Sequence, residues 1–166
     1  PVDALLDAAL AADFALFFRE PFANADQDDA LELMRHPRSV VTFSDSGAHV
    51  TEIADSCLQT VLLSRWCRDR HAFTLEESVR KISFDVASHF GLRNRGLLRE
   101  GYAGDVVVMD YDKLQPQMPS VVADLPTGAK RVFQGCDGID ATVVNGQILL
   151  RDGEHTGALP GRLLKP

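Results

Sequence analysis

The sequence lacks the short motifs that hold a metal ion or a phosphate group. It has no His-x-His pair, no Cys-x-x-Cys pair and no His-Glu-x-x-His motif. A zinc site needs three or four protein ligands, and the spacing of the five histidines and three cysteines does not supply that set. The glycines between residues 91 and 96 also lack the spacing of a phosphate-binding loop. The sequence therefore predicts no complete metal or nucleotide site within this chain.

Cysteine, positive charge and long apolar runs are also scarce. Cys57, Cys67 and Cys136 form an odd, widely spaced set, so we expect reduced thiols in a cytoplasmic protein. The formal net charge of −7 argues against nucleic acid binding, which needs clustered lysine and arginine. No apolar run approaches the roughly 20 residues of a membrane span. We therefore expect neither a nucleic acid nor a membrane as a partner.

Length and composition indicate a folded domain. The 166 residues are 45% apolar and 25% charged, which is typical of globular proteins. The chain opens Pro1-Val2-Asp3, without an initiator methionine and without a basic segment ahead of an apolar one. We therefore expect no signal peptide at this start, and either the first residues were removed or are disordered, or the chain is a piece of a longer protein.

Helical and strand patterns alternate over the first hundred residues. Apolar spacing predicts helices over 1–12 and 27–35 and a longer helical stretch from Leu58 to Gly91. Short apolar runs predict strands at 14–18 and 39–43. Strands that alternate with helices imply a parallel sheet, so we expect these two strands to pair in parallel. Two strands do not make a stable sheet alone, which implies that another chain or segment completes it.

Three local signals fix the ends of these elements. Asp26 is a candidate N-cap for the helix over 27–35. Thr74 and Glu77 have the spacing of a capping box. Asn145-Gly146 lies inside the apolar stretch 141–150 and predicts a tight hairpin turn. With further strands at 105–109 and 131–133, and a proline-rich loop over 115–128, the last sixty residues are predicted to be mostly β.

Asp45 is the strongest candidate for chemistry. It follows the second predicted strand and lies in the polar loop SDSGAH, residues 44–49. Reactive side chains of strand–helix barrels project from the C-terminal ends of strands, where an aspartate can bind a metal ion or accept a proton. Gly47 allows a tight turn around a ligand, and His49 can add a polar contact. The alternative is that Asp45 starts an ordinary turn and that His49 is an ordinary loop residue, and spacing alone leaves both open.

Several stretches together resemble one family, the N-acyl-D-amino-acid deacylases (D-aminoacylases) of the amidohydrolase superfamily. The loop SDSGAH is similar to the end of the eighth barrel strand in that superfamily. The later stretches that carry the resemblance are LEESVRK at 75–81, FGLRNRGLL at 90–98, EGYAGDVVV at 100–108 and DGEHTGALPGR at 152–162. The resemblance covers nearly the whole chain.

The resemblance implies an α/β fold in two parts. Residues 1–100 would form the last strands and helices of a metal-dependent (β/α)8 barrel. Residues 101–166 would supply the C-terminal β-strands of a small β-sandwich built from both chain ends. This chain would then be the C-terminal portion of the enzyme.

The resemblance also implies a reaction, hydrolysis of the linear amide of an N-acyl-D-amino acid by a zinc-activated water. Asp45 would take the proton from that water, return it to the leaving amine and contact the metal. Ser46, Gly47 and His49 would bind the substrate. The other metal ligands of the family come from earlier barrel strands, so we expect this chain alone to be inactive and not to retain zinc.

Two alternatives stay open. In the first, the protein that carries this chain would act on cyclic amides, as hydantoinases and dihydroorotases do. In the second, the chain would be a non-enzymatic α/β module that works by association. Apolar side chains in the two predicted strands would need cover, so we expect a homo-oligomer or association with a missing N-terminal part. The candidates for those faces are Phe14, Phe17, Phe18, Val40, Val41 and Phe43.

Overall fold

The computed structural model describes residues 2–21 and 23–164, and the chain divides into two compact units, Pro1–Pro37 and Arg38–Pro166. The first unit contains helix α1 (Val2–Ala11) and helix α2 (Gln27–Arg35). Oδ1 of Asp26 accepts hydrogen bonds from the amides of Asp28 and Asp29 at 2.9 and 3.2 Å. These bonds satisfy amides that a helix leaves without intrahelical acceptors, so the predicted N-cap is confirmed.

The second unit places four helices before its strands and one short 3-10 helix (Pro126–Gly128) among them. The four helices are α3 (Leu58–Val61), a π-helix (Leu62–Asp69), α4 (Leu75–Ile82) and α5 (Phe84–His89). The strands are β1 (Val106–Met109), β2 (Gln115–Pro116), β3 (Ser120–Val122), β4 (Arg131–Phe133), β5 (Cys136–Asp137), β6 (Ile139–Val144), β7 (Gln147–Arg151) and β8 (Glu154–His155). In the part of the chain that the structure describes, no helix combines the length and apolar character needed to cross a bilayer.

The helical stretch after residue 57 is not continuous. It changes from α to π geometry at Leu62, breaks over residues 70–74, and breaks again at Ser83, which has φ −127° and ψ −81° and separates α4 from α5. The predicted capping box is confirmed, because the Thr74 hydroxyl accepts from the amide of Glu77 while the Glu77 carboxylate accepts from the amide of Thr74. The local capping signal is therefore confirmed, whereas the predicted helical stretch from Leu58 to Gly91 is divided into shorter helices.

The main sheet is antiparallel, with strand order β1-β6-β7-β8. Its predicted hairpin is confirmed: Asn145 and Gly146 connect β6 to β7 with φ 49° and 78°, the left-handed values that a two-residue turn requires. The Asn145 side chain is held on both sides, because Oδ1 accepts from Arg95 at 2.9 Å and Nδ2 donates to the Pro160 carbonyl at 2.7 Å. The Asn145 amide donates to Asp105 at 2.8 Å. This turn thus connects three separate segments of the unit.

The proline-rich stretch over 115–128 is not only a loop, as the sequence predicted. It contributes β2, which pairs with β5, and β3, which pairs with β4. Pro116 is tolerated in β2 because that strand belongs to a two-stranded pair, where a missing amide donor interrupts no central ladder.

The predicted parallel strands are wrong for this structure. Residues 15–20 and 39–45 have no regular secondary structure, and every strand pair in the described ranges is antiparallel. A strand exists only where its amides and carbonyls find a ladder partner, so an apolar run by itself does not produce one. Phe14, Phe17 and Phe43 are 71%, 67% and 80% exposed, which agrees with the absence of a packed sheet at these segments.

The buried apolar core lies around the π-helix. Neither α1 nor α2 buries a residue. The buried apolar side chains among the described residues are Cys57, Leu62, Leu63, Trp66, Cys67, Phe73, Ala87 and Leu114. Leu114, on the segment between β1 and β2, is fully buried. The core therefore joins the helical part of the second unit to its β part.

Arg68 connects the same two parts through hydrogen bonds. Its Nη1 donates to the carbonyls of Tyr111, Asp112 and Leu114 at 2.9, 3.2 and 2.7 Å. The Tyr111 hydroxyl donates to Sγ of Cys67 at 3.0 Å. The segment that follows β1 is therefore fixed to the last turns of the π-helix by polar contacts beside the buried Leu114.

Replacing Leu114 with alanine should destabilise the fold. The side chain is 0% exposed, so truncation removes apolar contacts and leaves a cavity, at a cost of about 2–5 kcal/mol in the free energy of unfolding. Urea unfolding followed by circular dichroism measures this change. The control is Leu98→Ala, because Leu98 is 84% exposed, and we expect it to change stability by less than about 0.5 kcal/mol. Equal effects of the two substitutions would contradict the placement of the core.

Stability should decline at alkaline pH because of Tyr111. Burial, followed by the hydrogen bond to Cys67, raises the pKa of Tyr111 from 10.0 to about 12. The unfolded phenol therefore loses its proton first, and the free energy of unfolding falls as the pH rises from 10.0 to about 12. Tyr111→Phe should make this decline smaller in urea titrations over that window. Absorbance titration of the phenolate should lose its most alkaline component in Tyr111→Phe and retain it in Tyr102→Phe.

Candidate functional site

The loop that contains Asp45 is built by its own hydrogen bonds. The Ser44 hydroxyl accepts from the amide of Ser46 at 3.1 Å, and the Asp45 carbonyl accepts from the amide of Ala48 at 2.9 Å. The amide of Gly47 donates to the carbonyl of Ile53 at 3.2 Å. The loop therefore closes on itself between residues 47 and 53, with the Asp45 side chain exposed at its start.

Four residues of this loop, including Asp55, have left-handed backbone conformations. Gly47 has φ 89°, while His49 and Val50 have φ 55° and 54°. Glycine adopts this region freely, but a β-branched residue such as Val50 does so only when its surroundings hold it there. One contact that holds Val50 is a backbone hydrogen bond, in which the amide of Val132 on β4 donates to the Val50 carbonyl at 2.9 Å.

The far side of the loop is joined to the segment after β4. The amide of Asp55 donates to Oε1 of Gln134 at 3.0 Å, and the Ser56 hydroxyl donates to the Gln134 carbonyl at 3.3 Å. The Cys57 thiol donates to the Gly135 carbonyl at 3.2 Å. Burial is the main cause that raises the pKa of the Cys57 thiol, so this cysteine is held as a neutral donor and is a poor nucleophile.

A cavity of about 420 Å³ lies between the loop and the β3–β4 hairpin. Its volume is within the range of small-molecule sites. The loop contributes Ser46, Gly47, Val50 and Ser56, and the hairpin side contributes Leu125, Arg131, Val132, Phe133 and Gln134. The lining therefore combines apolar side chains with a few polar groups, which suits a small ligand with both kinds of surface.

Arg131 is the charged residue of this lining, and its charge is compensated. Its Nε and Nη2 donate to the two carboxylate oxygens of Asp124 at 2.7 and 2.6 Å. The hydrogen bond from Arg131 lowers the pKa of Asp124. The pair is solvent-exposed in part, so it orients the guanidinium at the cavity wall more than it stabilises the fold.

The structure brings some of the predicted site residues together and not others. Ser46 and Gly47 line the cavity, whereas His49 is exposed and is not among the lining residues. Asp45 directly precedes the lining residues. Across residues 2–21 and 23–164, no three His, Cys, Asp or Glu side chains are grouped so as to hold a metal ion. The roles of Asp45, Ser46, Gly47 and His49 stay predictions.

Sequence reasoning missed the hairpin side of the site. Arg131 and Gln134 follow the Asp45 loop by about eighty positions along the chain, and no spacing rule connects segments so far apart. The one available signal was the weak strand pattern at 131–133, which predicted β4 but not its neighbour. The cavity forms where two segments that are far apart along the chain come together, and neither segment carries a sequence motif that marks a binding site.

Comparison with known proteins gives one family and several relatives. The model of the Amidohydrolase family matches residues 9–150. An N-acyl-D-aspartate deacylase of Alcaligenes xylosoxydans xylosoxydans is 31% identical over 157 residues, which are 93% of this chain and 26% of that protein. A D-aminoacylase of the same organism is 35% identical over 103 residues, 62% of this chain and 19% of that protein.

One solved structure is similar in both sequence and shape. It is a D-aminoacylase variant in complex with copper chloride, with a TM-score of 0.50 and 32% identity, over 65% of this chain and 21% of that one. The chain thus spans about a quarter or less of the length of the relatives it matches. The Asp45 loop, the cavity lining and Gln134 all lie inside the residues that the family model matches.

Proposed function

This chain belongs to the amidohydrolase family, and we propose that the protein carrying it hydrolyses the linear amide bond of N-acyl-D-amino acids. The fold is of the amidohydrolase type, with mixed helix and sheet, and the sequence resemblance to the D-aminoacylases is confirmed. The observation that carries the proposed substrate class is the 31% identity to an N-acyl-D-aspartate deacylase across 93% of this chain. Both curated relatives described above are deacylases by name, which favours linear over cyclic amides.

Asp45 is the acid–base group of this proposal. A carboxylate at the start of an exposed loop is able to take a proton from an attacking water and to return it to the amine that leaves. Ser46 and Gly47, the two residues after Asp45, line the cavity, and we propose that the substrate binds there within reach of the carboxylate. In this arrangement the cavity positions the acylated amino acid and Asp45 moves the proton.

Zinc is the metal that we propose for the complete protein, held by residues outside this chain together with Asp45. The described residues do not fit a zinc ion on their own, because they offer no group of three candidate ligands and a zinc site needs at least three from the protein. The chain's own contribution is therefore the carboxylate of Asp45 and the cavity, and the 166-residue chain alone should be inactive.

We also propose a two-part architecture for the complete protein. Residues 1–100 would complete a (β/α)8 barrel, and residues 101–166 would complete a small β-sandwich. Two observations support this division. The described strands lie between residues 106 and 155, and the apolar segments at 14–18 and 39–43 carry side chains that a surrounding barrel would bury.

Substituting Asp45 should separate catalysis from folding. In the complete protein, Asp45→Asn should lower kcat for N-acetyl-D-amino acids by about 10²–10⁴-fold, the usual contribution of a general acid–base group. Steady-state kinetics measure this loss. Asp140→Asn is the matched control, because Asp140 is an exposed aspartate on β6 outside the cavity lining, and its rate should not change. An unaltered rate for Asp45→Asn would remove Asp45 from the mechanism.

The isolated chain should associate through its exposed apolar segments. Phe14, Phe17, Phe18, Val40 and Phe43 are exposed, and Val41 is half-buried. We propose that they pair with a second copy under two-fold symmetry or with the missing N-terminal part. Sedimentation should give a mass above that of the 18.2 kDa chain. Phe43→Asp should weaken association, while Leu159→Asp, at a residue 86% exposed outside these segments, should not. A monomer at micromolar concentration would refute pairing with a second copy and leave the missing N-terminal part as the partner.

A further inference from the structure

Gln134 uses both ends of its side-chain amide to connect two distant segments. Oε1 accepts from the amide of Asp55 at 3.0 Å, and Nε2 donates to the Gln117 carbonyl at 3.1 Å. Its own backbone carbonyl accepts from the Ser56 hydroxyl at 3.3 Å. One residue of the β part thus holds the last residues of the Asp45 loop, directly before α3.

The loop needs such a contact because its backbone is unfavourable. His49, Val50 and Asp55 have φ values of 55°, 54° and 69°, in a region that non-glycine residues occupy only when neighbouring groups hold them. Asp55 is the residue whose amide Gln134 accepts. Removal of that acceptor takes one hydrogen bond away from the left-handed turn at Asp55 and so weakens the hold of the β part on this end of the loop.

Relaxation at Asp55 would reach Asp45 through the loop itself. The carbonyl of Ile53, two residues earlier, accepts from the amide of Gly47, and Gly47 lies two residues after Asp45. Val132 holds the middle of the loop at the Val50 carbonyl. The position of residues 53–56 therefore helps to set the orientation of the segment that contains Asp45, Ser46 and Gly47.

We propose that Gln134 is a positioning residue, which fixes the loop of residues 45–57 against β4 and so sets the position of Asp45 beside the lining residues Ser46 and Gly47. This inference rests on the proposed function, in which Asp45 is the acid–base group. Gln134 also lines the cavity, but its Oε1 and Nε2 are both engaged with backbone groups. The role that we assign to Gln134 is therefore exerted through the loop, because both ends of its side-chain amide already hold backbone groups.

Two variants and one control test the inference. Gln134→Met keeps the length of the side chain and removes both hydrogen bonds. Gln134→Glu keeps the acceptor for the Asp55 amide and loses the donor to Gln117. Gln115→Met is the matched control, since Gln115 is an exposed glutamine on β2 whose amide donates to Asp137 and not to the loop.

Amide hydrogen exchange of the 166-residue chain gives a result that does not depend on activity. Gln134→Met should speed exchange in peptides covering 46–57 by about 3- to 10-fold, the range expected for one lost hydrogen bond, with peptides of β6 and β7 unchanged. Gln134→Glu should restore most of the protection, and Gln115→Met should match the unsubstituted chain. Unchanged exchange over 46–57 in Gln134→Met, or equal acceleration across the whole chain, would overturn the inference.

Kinetics of the complete protein supply the second readout. Gln134→Met should lower kcat by about tenfold or more, because misplacing a catalytic group costs rate, while KM stays within about twofold, and Gln134→Glu should recover much of kcat. A rise in KM with kcat unchanged would show a substrate contact and overturn the positioning role. An unsubstituted protein without turnover on N-acetyl-D-amino acids would refute the proposed function instead, and the exchange experiment would still decide whether Gln134 holds the loop.

Discussion

The contact of the Arg68 guanidinium with three backbone carbonyls is the interaction on which the second unit depends. Helices and short β-strands follow one another along this chain, and few side chains are buried between them. A carbonyl close to a core has to find a donor, and Nη1 of Arg68 supplies one to the carbonyls of Tyr111, Asp112 and Leu114. The fully buried Leu114 side chain is thereby placed against the helices, and the strands that follow it are placed with it.

The candidate site depends on a second connection of the same kind. The segment that leads into the Asp45 loop, residues 39–45, forms no strand. The backbone of the loop that follows is held by Val132 and Gln134, which reach it from the β part. The position of Asp45 in this chain is therefore set by the β-strands, which pack to the helices through Arg68 and the core. A substitution that disrupts the Arg68 contacts would therefore also shift the strands that hold the Asp45 loop.

Local signals in the sequence predicted the local structure, and distant contacts were not predictable. The Asp26 cap, the Thr74–Glu77 capping box and the Asn145–Gly146 turn each depend on residues within a few positions, and all three are confirmed. The strands at 14–18 and 39–43 failed because a strand requires a partner that an apolar run does not specify. The π geometry from Leu62 was missed because its apolar spacing resembles that of an α-helix, and the cavity was missed because its two sides are far apart in sequence.

The Asn145–Gly146 turn also has a consequence for the chemical ageing of the protein. An asparagine before glycine is prone to deamidation through a cyclic imide, because glycine has no Cβ to hinder attack by its nitrogen. Here the asparagine amide is bound by Arg95 and by the Pro160 carbonyl, and the glycine amide donates to Gly104 at 2.8 Å. The fold thus protects a labile dipeptide. Deamidation would replace the donor to Pro160 with a negative charge beside Asp105, and the C-terminal segment would lose its hydrogen bond to the turn.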